Sequence, residues 1–467
     1  MILPKTLATF AFIVFATFHA NGVQAQNTKL TPHQQTLYGL YKEMVEINSA
    51  VPHGTAAIVE KLAARLKAAG FADREIEIVA PVPSKANLVV RYKGSGAKKP
   101  VLLLAHIDVV DARKEDWSDN LDPFTLTERD GYYYGRGTLD DKAMAAIFIA
   151  NLIRLKQEGF MPARDIIVAL TADEETGEHN GVVHLLKNRR ELIDAEFAIN
   201  EGGGGLSREG KPFTQGVQIG EKMYLSFDFE ATHAGGHSSV PGRENAIYDL
   251  SAALDRLGKF DFPARLGYVT RAYFAMLGSM ETGPLKQDIT ALVTDKADDA
   301  ALQRISAVPR YNAQLRTTCV ATRLEAGQAE NALPQRAKAV VNCRLLPGEQ
   351  PDFVHTELQK LAGNRVTVKP RGQVRASPPT DAQSPVMTTI ARISESMWPG
   401  VPILPIMSTG ATDGSRLRNE GIPTYGVSGI FVEYGEVRIH GRDERVGVKE
   451  FYEGQEFLYR LTRALTQ

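Results

Sequence analysis

The chain has little cysteine and almost no net charge. Two cysteines, Cys319 and Cys343, stand in 467 residues, too few for a cysteine-rich zinc ribbon or a disulfide-dense scaffold. Their spacing forms no metal motif; they either pair in an oxidising compartment or remain two buried thiols. Lys and Arg number 54 against 55 Asp and Glu, and no basic stripe runs along the chain, so no nucleic-acid partner is expected. Internal repeats and low-complexity stretches are absent. After residue 26 no segment is apolar enough to cross a bilayer.

The one long apolar run lies at the start. "MILPKTLATFAFIVFATFHANGVQAQ" has a single Lys, an apolar stretch over residues 7–18 and the small-residue pattern "VQA" ending at Ala25. This predicts a secretory signal peptide over residues 1–25, and hence a periplasmic or secreted protein with no membrane contact after cleavage. An uncleaved N-terminal anchor is the alternative. The remainder is long enough for two domains.

"TPHQQTLYGLYKEMVEI" opens on Thr31 as N-cap, Pro32 at the first helical position and Gln34 closing a capping box. Leu37, Leu40, Met44 and Ile47 then line one face of a helix. A second helix is expected over residues 56–69, stopped at Gly70. Beyond it, short apolar runs ("NLVVRY", "VLLLAHIDVV", "DIIVAL", "EFAIN") alternate with helical patterns such as "DKAMAAIFIANLIRLKQEG". Fully apolar strands alternating with helices predict an α/β fold with a mainly parallel sheet and helices on both faces. Near Glu221 the texture changes. "YLSFDFEA" alternates Leu225, Phe227 and Phe229 with Ser226, Asp228 and Glu230, as a half-exposed strand does. We therefore expect a catalytic domain over residues 26–220 and 373–467, interrupted by a smaller α+β lid or dimerisation domain over residues 221–372.

Three apolar runs end in side chains that bind metals. "VLLLA" leads into His106 and Asp108, "DIIVAL" into Asp173, Glu174 and Glu175, and "EFAIN" into Glu201 and four glycines. Like charges crowded at a strand end require a cation or a proton. Ligands of open α/β sheets bind beyond the carboxyl ends of the strands, where these groups would converge. Asp140 and Asp141 in "YGRGTLDDK" precede a helix whose N-terminus favours negative charge, and "RIHGRDERV" presents His440 far downstream. Taken singly, each has a plain structural reading: a hydrogen-bonding His, a helix cap, a solvated loop. Taken together, imidazole and carboxylate ligands without cysteine suit catalytic zinc. Five such ligands exceed one open tetrahedral site and fit two ions sharing a carboxylate.

The set "HID", "GRGTLDDKA", "TADEETGE", "NEGGGG", "GGHSSVP" and "IHGRDE" closely resembles the dinuclear zinc exopeptidases of clan MH, which include aminoacylases, succinyl-diaminopimelate desuccinylases, glutamate carboxypeptidases and, nearest in wording, carboxypeptidase S. The match runs from about His53 to the C-terminus. The resemblance implies two Zn2+ per subunit, with Co2+ or Mn2+ as substitutes. His106 and Glu201 would hold one ion, Glu175 and His440 the other, with Asp140 bridging and a cis peptide between Asp140 and Asp141. Asp108 would orient the His106 imidazole. Glu174 would be the general base for water activated between the ions, passing its proton to the leaving nitrogen.

In the smaller domain, His237 of "HAGGHSSVP" aligns with the family's oxyanion stabiliser, a group that often reaches into the partner subunit of a dimer. Asn331 in "NALP" and Arg344 in "NCRLLPG" resemble the pair that grips the substrate carboxylate. "GATDGSRLR" matches a further substrate-side loop without assignable roles, and residues 260–323 are longer and more irregular than in compact relatives. The expected activity is metal-dependent hydrolysis of a peptide or N-acyl amide bond beside an amino acid with a free carboxylate, in a possible homodimer through the lid. An aminopeptidase or dipeptidase of the same clan is the alternative enzyme. A periplasmic metal- or peptide-binding protein that has lost catalysis is the alternative outside enzymes.

Overall fold

The computed structural model describes residues 29–175, 177–372 and 377–467; the expected signal peptide, residues 1–25, lies outside them. The first helix, Pro32–Val45, starts as the sequence predicts. The Thr31 side chain accepts from the Gln34 backbone, the Gln34 side chain returns the bond, and Pro32 occupies the first turn.

A sheet of ten strands forms the centre. Its middle is parallel: Ile166–Thr171, Val101–His106, Phe197–Asn200 and Thr424–Gly426 lie side by side in that order. Antiparallel strands flank this middle, Asn87–Tyr92 on one side and Lys211–Glu221 on the other. Every residue of Val101–His106 and Ile166–Thr171 is buried, and the two faces divide by alternation. Val101, Leu103 and Ala105 pack with helices Pro32–Val45 and Lys142–Gln157, whereas Leu102 and Leu104 pack with Val182, Leu185 and Leu417 on the opposite side. Helix Lys142–Gln157 is apolar on nearly all sides, and it is buried between the sheet and the first and last helices.

A second apolar core belongs to a four-stranded antiparallel sheet in the order Thr318–Ala326, Arg336–Leu345, Met223–Thr232, Val366–Arg371. Helices Ala246–Gly258 and Pro351–Ala362 cover the face carrying Leu225, Phe227 and Phe229. The outer strand leaves Val320 and Leu324 exposed. Cys319 and Cys343 are register partners on neighbouring strands and form a disulfide.

Residues 268–315 are more ordered than their sequence suggested. They fold into four short helices with their own core around Phe274, Ile289, Ile305 and Tyr311. This cluster rests against strand Ile403–Ser408 of the main sheet, held by Gln314 Nε2 donating to the Met407 carbonyl at 3.0 Å. Among the described residues no helix is long and apolar enough to cross a membrane.

Candidate metal centre

Strand register assembles the site. His106 is the Cα partner of Thr171 across two parallel strands, and Leu103 is opposite Ile199. The three carboxyl ends therefore deliver His106, the Asp173–Glu175 turn and Glu201 to one rim of the sheet. The glycines after Glu201 serve close packing: a Cβ on Gly203 would come within 2.1 Å of the Gly426 carbonyl oxygen, and one on Gly205 within 2.3 Å of the Phe431 ring.

Asp140 stands at the middle of the cluster. Its Oδ1 lies 2.9 Å from His106 Nε2 and its Oδ2 lies 3.2 Å from His440 Nε2. Glu201 approaches His106 Nε2 at 4.0 Å, while Glu175 Oε1 is 2.9 Å from His440 Nε2. One carboxylate thus spans two imidazoles, each with a further carboxylate of its own. The Asp140–Asp141 peptide is cis, and the Asp141 side chain makes no capping bond to the helix that follows. Asp173 and His440 both adopt left-handed backbone conformations, φ 58° and 62°, a region that Asp and His enter more readily than most side-chain-bearing residues.

Asp108 does more than face its histidine. The nearest acceptor for His106 Nδ1 is the Asp108 carbonyl, at 3.0 Å, with the Asp108 carboxylate at 3.6 Å. That carboxylate accepts the backbone N–H groups of Glu174 and Glu175, both at 3.2 Å. One residue therefore fixes the imidazole and the acidic turn together.

Three supporting residues were not read from the sequence. Glu444 is buried and accepts from Arg136 Nη1 at 2.7 Å and from the backbone N–H groups of Gly137, Leu139 and Asp140, so it shapes the loop that presents Asp140. Lys85 pairs with Asp173 in the interior. Of the three consecutive acids, Asp173 is thus answered by a lysine, which leaves only its two neighbours to be answered by a cation or a proton. Asp413, in the unassigned "GATDGSRLR" segment, is buried and accepts from Asn180 Nδ2 at 2.6 Å. It braces the start of helix Gly181–Asn188 behind the acidic turn.

The electrostatics ask for cations. Burial, with Asp140 and Glu174 nearby, pushes the Glu201 carboxyl well above its usual range. Burial, with Asp413 and Glu175 adding repulsion, pushes Glu174 up to about 9. Hydrogen bonds from His106 and His440 hold Asp140 well below the carboxylate range despite the upward push of burial. Hydrogen bonds to Asp140 and Glu175 raise His440 to about 10. Ligand atoms of His106, Asp140 and Glu175, and those of His106, Glu174 and Glu201, each gather within 4.8 Å. Nitrogen and oxygen donors in these groupings fit borderline and hard divalent ions.

The lid residues stand apart from this cluster. His237 is exposed, its Nδ1 accepting from the Ser239 backbone at 3.1 Å, and Ser238 N donates to the Asn331 carbonyl at 3.0 Å. His237 and Asn331 therefore share one end of the lid. Arg344 is opposite Tyr224 at the other end, its guanidinium 4.8 Å from that ring. Eight residue steps along the strand, roughly 27 Å at strand rise, separate Arg336 from Arg344. Among the described residues no hydrogen bond or ion pair links His237, Asn331 or Arg344 to the cluster.

Comparison with known proteins agrees with this geometry. The profile of peptidase family M20/M25/M40 matches residues 102–464. The chain is 32% identical over 356 residues to the N-fatty-acyl-amino acid synthase/hydrolase PM20D1 of Xenopus tropicalis, covering 74% of this chain and 69% of that protein. To a probable carboxypeptidase S-like protein of Dictyostelium discoideum it is 29% identical over 392 residues, covering 81% and 74%. A dinuclear metal binding peptidase of the M20 family from Bacillus subtilis shares the fold with a TM-score of 0.60 at 13% identity, over 93% of this chain and 98% of that one.

Proposed function

From the premise that this chain belongs to peptidase family M20/M25/M40, and is thus a peptide or amide hydrolase with a dinuclear-type metal cluster, we propose that it is an exported zinc enzyme. Its substrates are N-acyl amino acids, or peptides cleaved beside a free α-carboxylate. The observation that carries this reading is Asp140, with one carboxylate oxygen on His106 and the other on His440. His106 with Glu201 and His440 with Glu175 would hold the two ions, which when bound polarise the scissile carbonyl and acidify water.

The remaining steps belong to the chain. Glu174 sits beside Glu175 on a turn fixed by Asp108; with the ions bound, their charge would keep it ionised, to take the proton of the attacking water and deliver it to the leaving nitrogen. Arg344 is the candidate for the substrate carboxylate, through paired charge-assisted bonds. His237 and Asn331, at the far end of the lid, would complete the site of a second copy. The exposed Val320 and Leu324 on the outer lid strand support a homodimer through this domain. The Cys319–Cys343 disulfide supports export, as does the apolar run of residues 7–18.

The relatives named as N-fatty-acyl-amino acid synthase/hydrolases and carboxypeptidase S-like proteins support the choice of an acyl-amino acid. The test is a panel of N-acyl amino acids and dipeptides, with free or amidated carboxyl ends, assayed with zinc or cobalt. Turnover of the free acids alone is expected. Equal turnover of the amides would remove Arg344 from its role, and no turnover of any compound would favour a binding protein.

A further inference from the structure

Beside the metal cluster the fold keeps a cavity of about 380 Å3. Asp140 and Glu201 line it together with the aliphatic side chains of Met144, Leu404, Ile406, Ile430 and Val432. Val437 and Ile439 also line it, on the loop running into His440, and leave 52% and 40% of their surface to solvent. Two apolar side chains this open beside an apolar cavity are available for a ligand to cover. The four-helix insert supplies the remaining wall through Tyr273 and Gln314. The insert also reaches the same loop, where the Arg310 guanidinium lies 5.0 Å from the Tyr434 ring.

Resting on the hydrolase reading above, we propose that this cavity binds the aliphatic acyl chain of an N-acyl amino acid, and that Tyr273 of the insert sets the chain length accepted. An amide substrate has two arms, and chemistry assigns them. The amino-acid arm carries a carboxylate and needs a cation, but no Lys or Arg is among the residues lining the cavity, whose charged members are Asp140, Asp141 and Glu201. The acyl arm carries no charge and gains from each methylene withdrawn from water. At ~30 Å3 per water-sized group the volume suits a chain on the order of ten carbons.

The experiment uses the full chain with its divalent metal and glycine conjugates from N-acetyl to N-tetradecanoyl, alongside N-acetyl derivatives of glycine, leucine and phenylalanine. Dodecanoate binding is measured by calorimetry. We expect kcat/KM to climb about two- to fourfold per methylene and to level off near ten carbons. Ile406→Trp should move the plateau to shorter chains and weaken dodecanoate binding at least tenfold, whereas Tyr273→Ala should move the plateau to longer chains. Rates that ignore acyl length but rise with amino-acid side-chain size would overturn the assignment and leave the hydrolase reading intact. If no conjugate turns over while dodecanoate still binds and Ile406→Trp still weakens it, the chain site stands and the hydrolase reading falls. Loss of both turnover and dodecanoate binding overturns both.

Discussion

His440 Nε2 lies 2.9 Å from Glu175 Oε1 although 265 positions separate the two residues. Neither has a local reason to be there. His440 sits half-exposed in a left-handed backbone conformation, and Glu175 follows two other acids. Their meeting makes sense as two ligands of one ion. His440→Ala should therefore remove one of two bound metals per chain and lower kcat/KM by at least roughly 10²-fold, measured by elemental analysis and steady-state kinetics on the same preparation.

Glu174, the proposed general base, is the residue at which binding and chemistry can be separated. Glu174→Gln keeps the shape and removes the base, so kcat should fall by roughly 10² to 10⁴-fold with metal content and thermal unfolding unchanged. A variant that loses metal would instead place Glu174 among the ligands.

Glu444 is the supporting residue with most to lose. It accepts from three backbone N–H groups and Arg136 in the interior, so Glu444→Ala leaves a buried guanidinium without its counter-charge and three donors without this acceptor. We expect a loss of about 3–5 kcal/mol of stability by denaturant unfolding, together with roughly 10- to 100-fold weaker metal binding.

Lys222, between strand Lys211–Glu221 of the main sheet and strand Met223–Thr232 of the lid, ties this junction to the helical insert. Its Nζ donates to the carbonyls of Ala313 and Arg316 and to Thr318 Oγ1, yet burial, with Arg344 adding repulsion, lowers its pKa to about 7. A depressed lysine pKa means that the unfolded chain binds the extra proton. Its destabilising effect is full below pH 7 and is relieved as pH rises toward the ordinary lysine value near 10.5. The stability of the wild type relative to Lys222→Met should thus increase between pH 7 and 10.5, read from thermal unfolding at stepped pH.

Much of the catalytic sheet could be read from the chain because buried parallel strands appear as unbroken apolar runs. Those of His106, Glu175 and Glu201 each end on a ligand-type side chain. Thr31, Pro32 and Gln34 likewise announce a helix start through local bonds alone. Glu444 had no such pattern, since its partners lie more than 300 positions away. Lys85 was hidden for the same reason, 88 positions from Asp173. Strand Ile403–Ser408 carries Pro405, which an interior strand excludes; it pairs on one side only, with Lys211–Glu221. The insert looked irregular because Gly283 and Pro309 break it into helices too short to show a long periodic stripe.

The most direct test of the shared-carboxylate cluster is metal stoichiometry on the full-length protein, before and after chelation, with Asp140→Ala alongside. The account predicts two divalent ions per chain, activity lost on chelation and restored by zinc or cobalt, and loss of both ions in the variant. One tightly bound ion in the wild type, or full activity in Asp140→Ala, would contradict it.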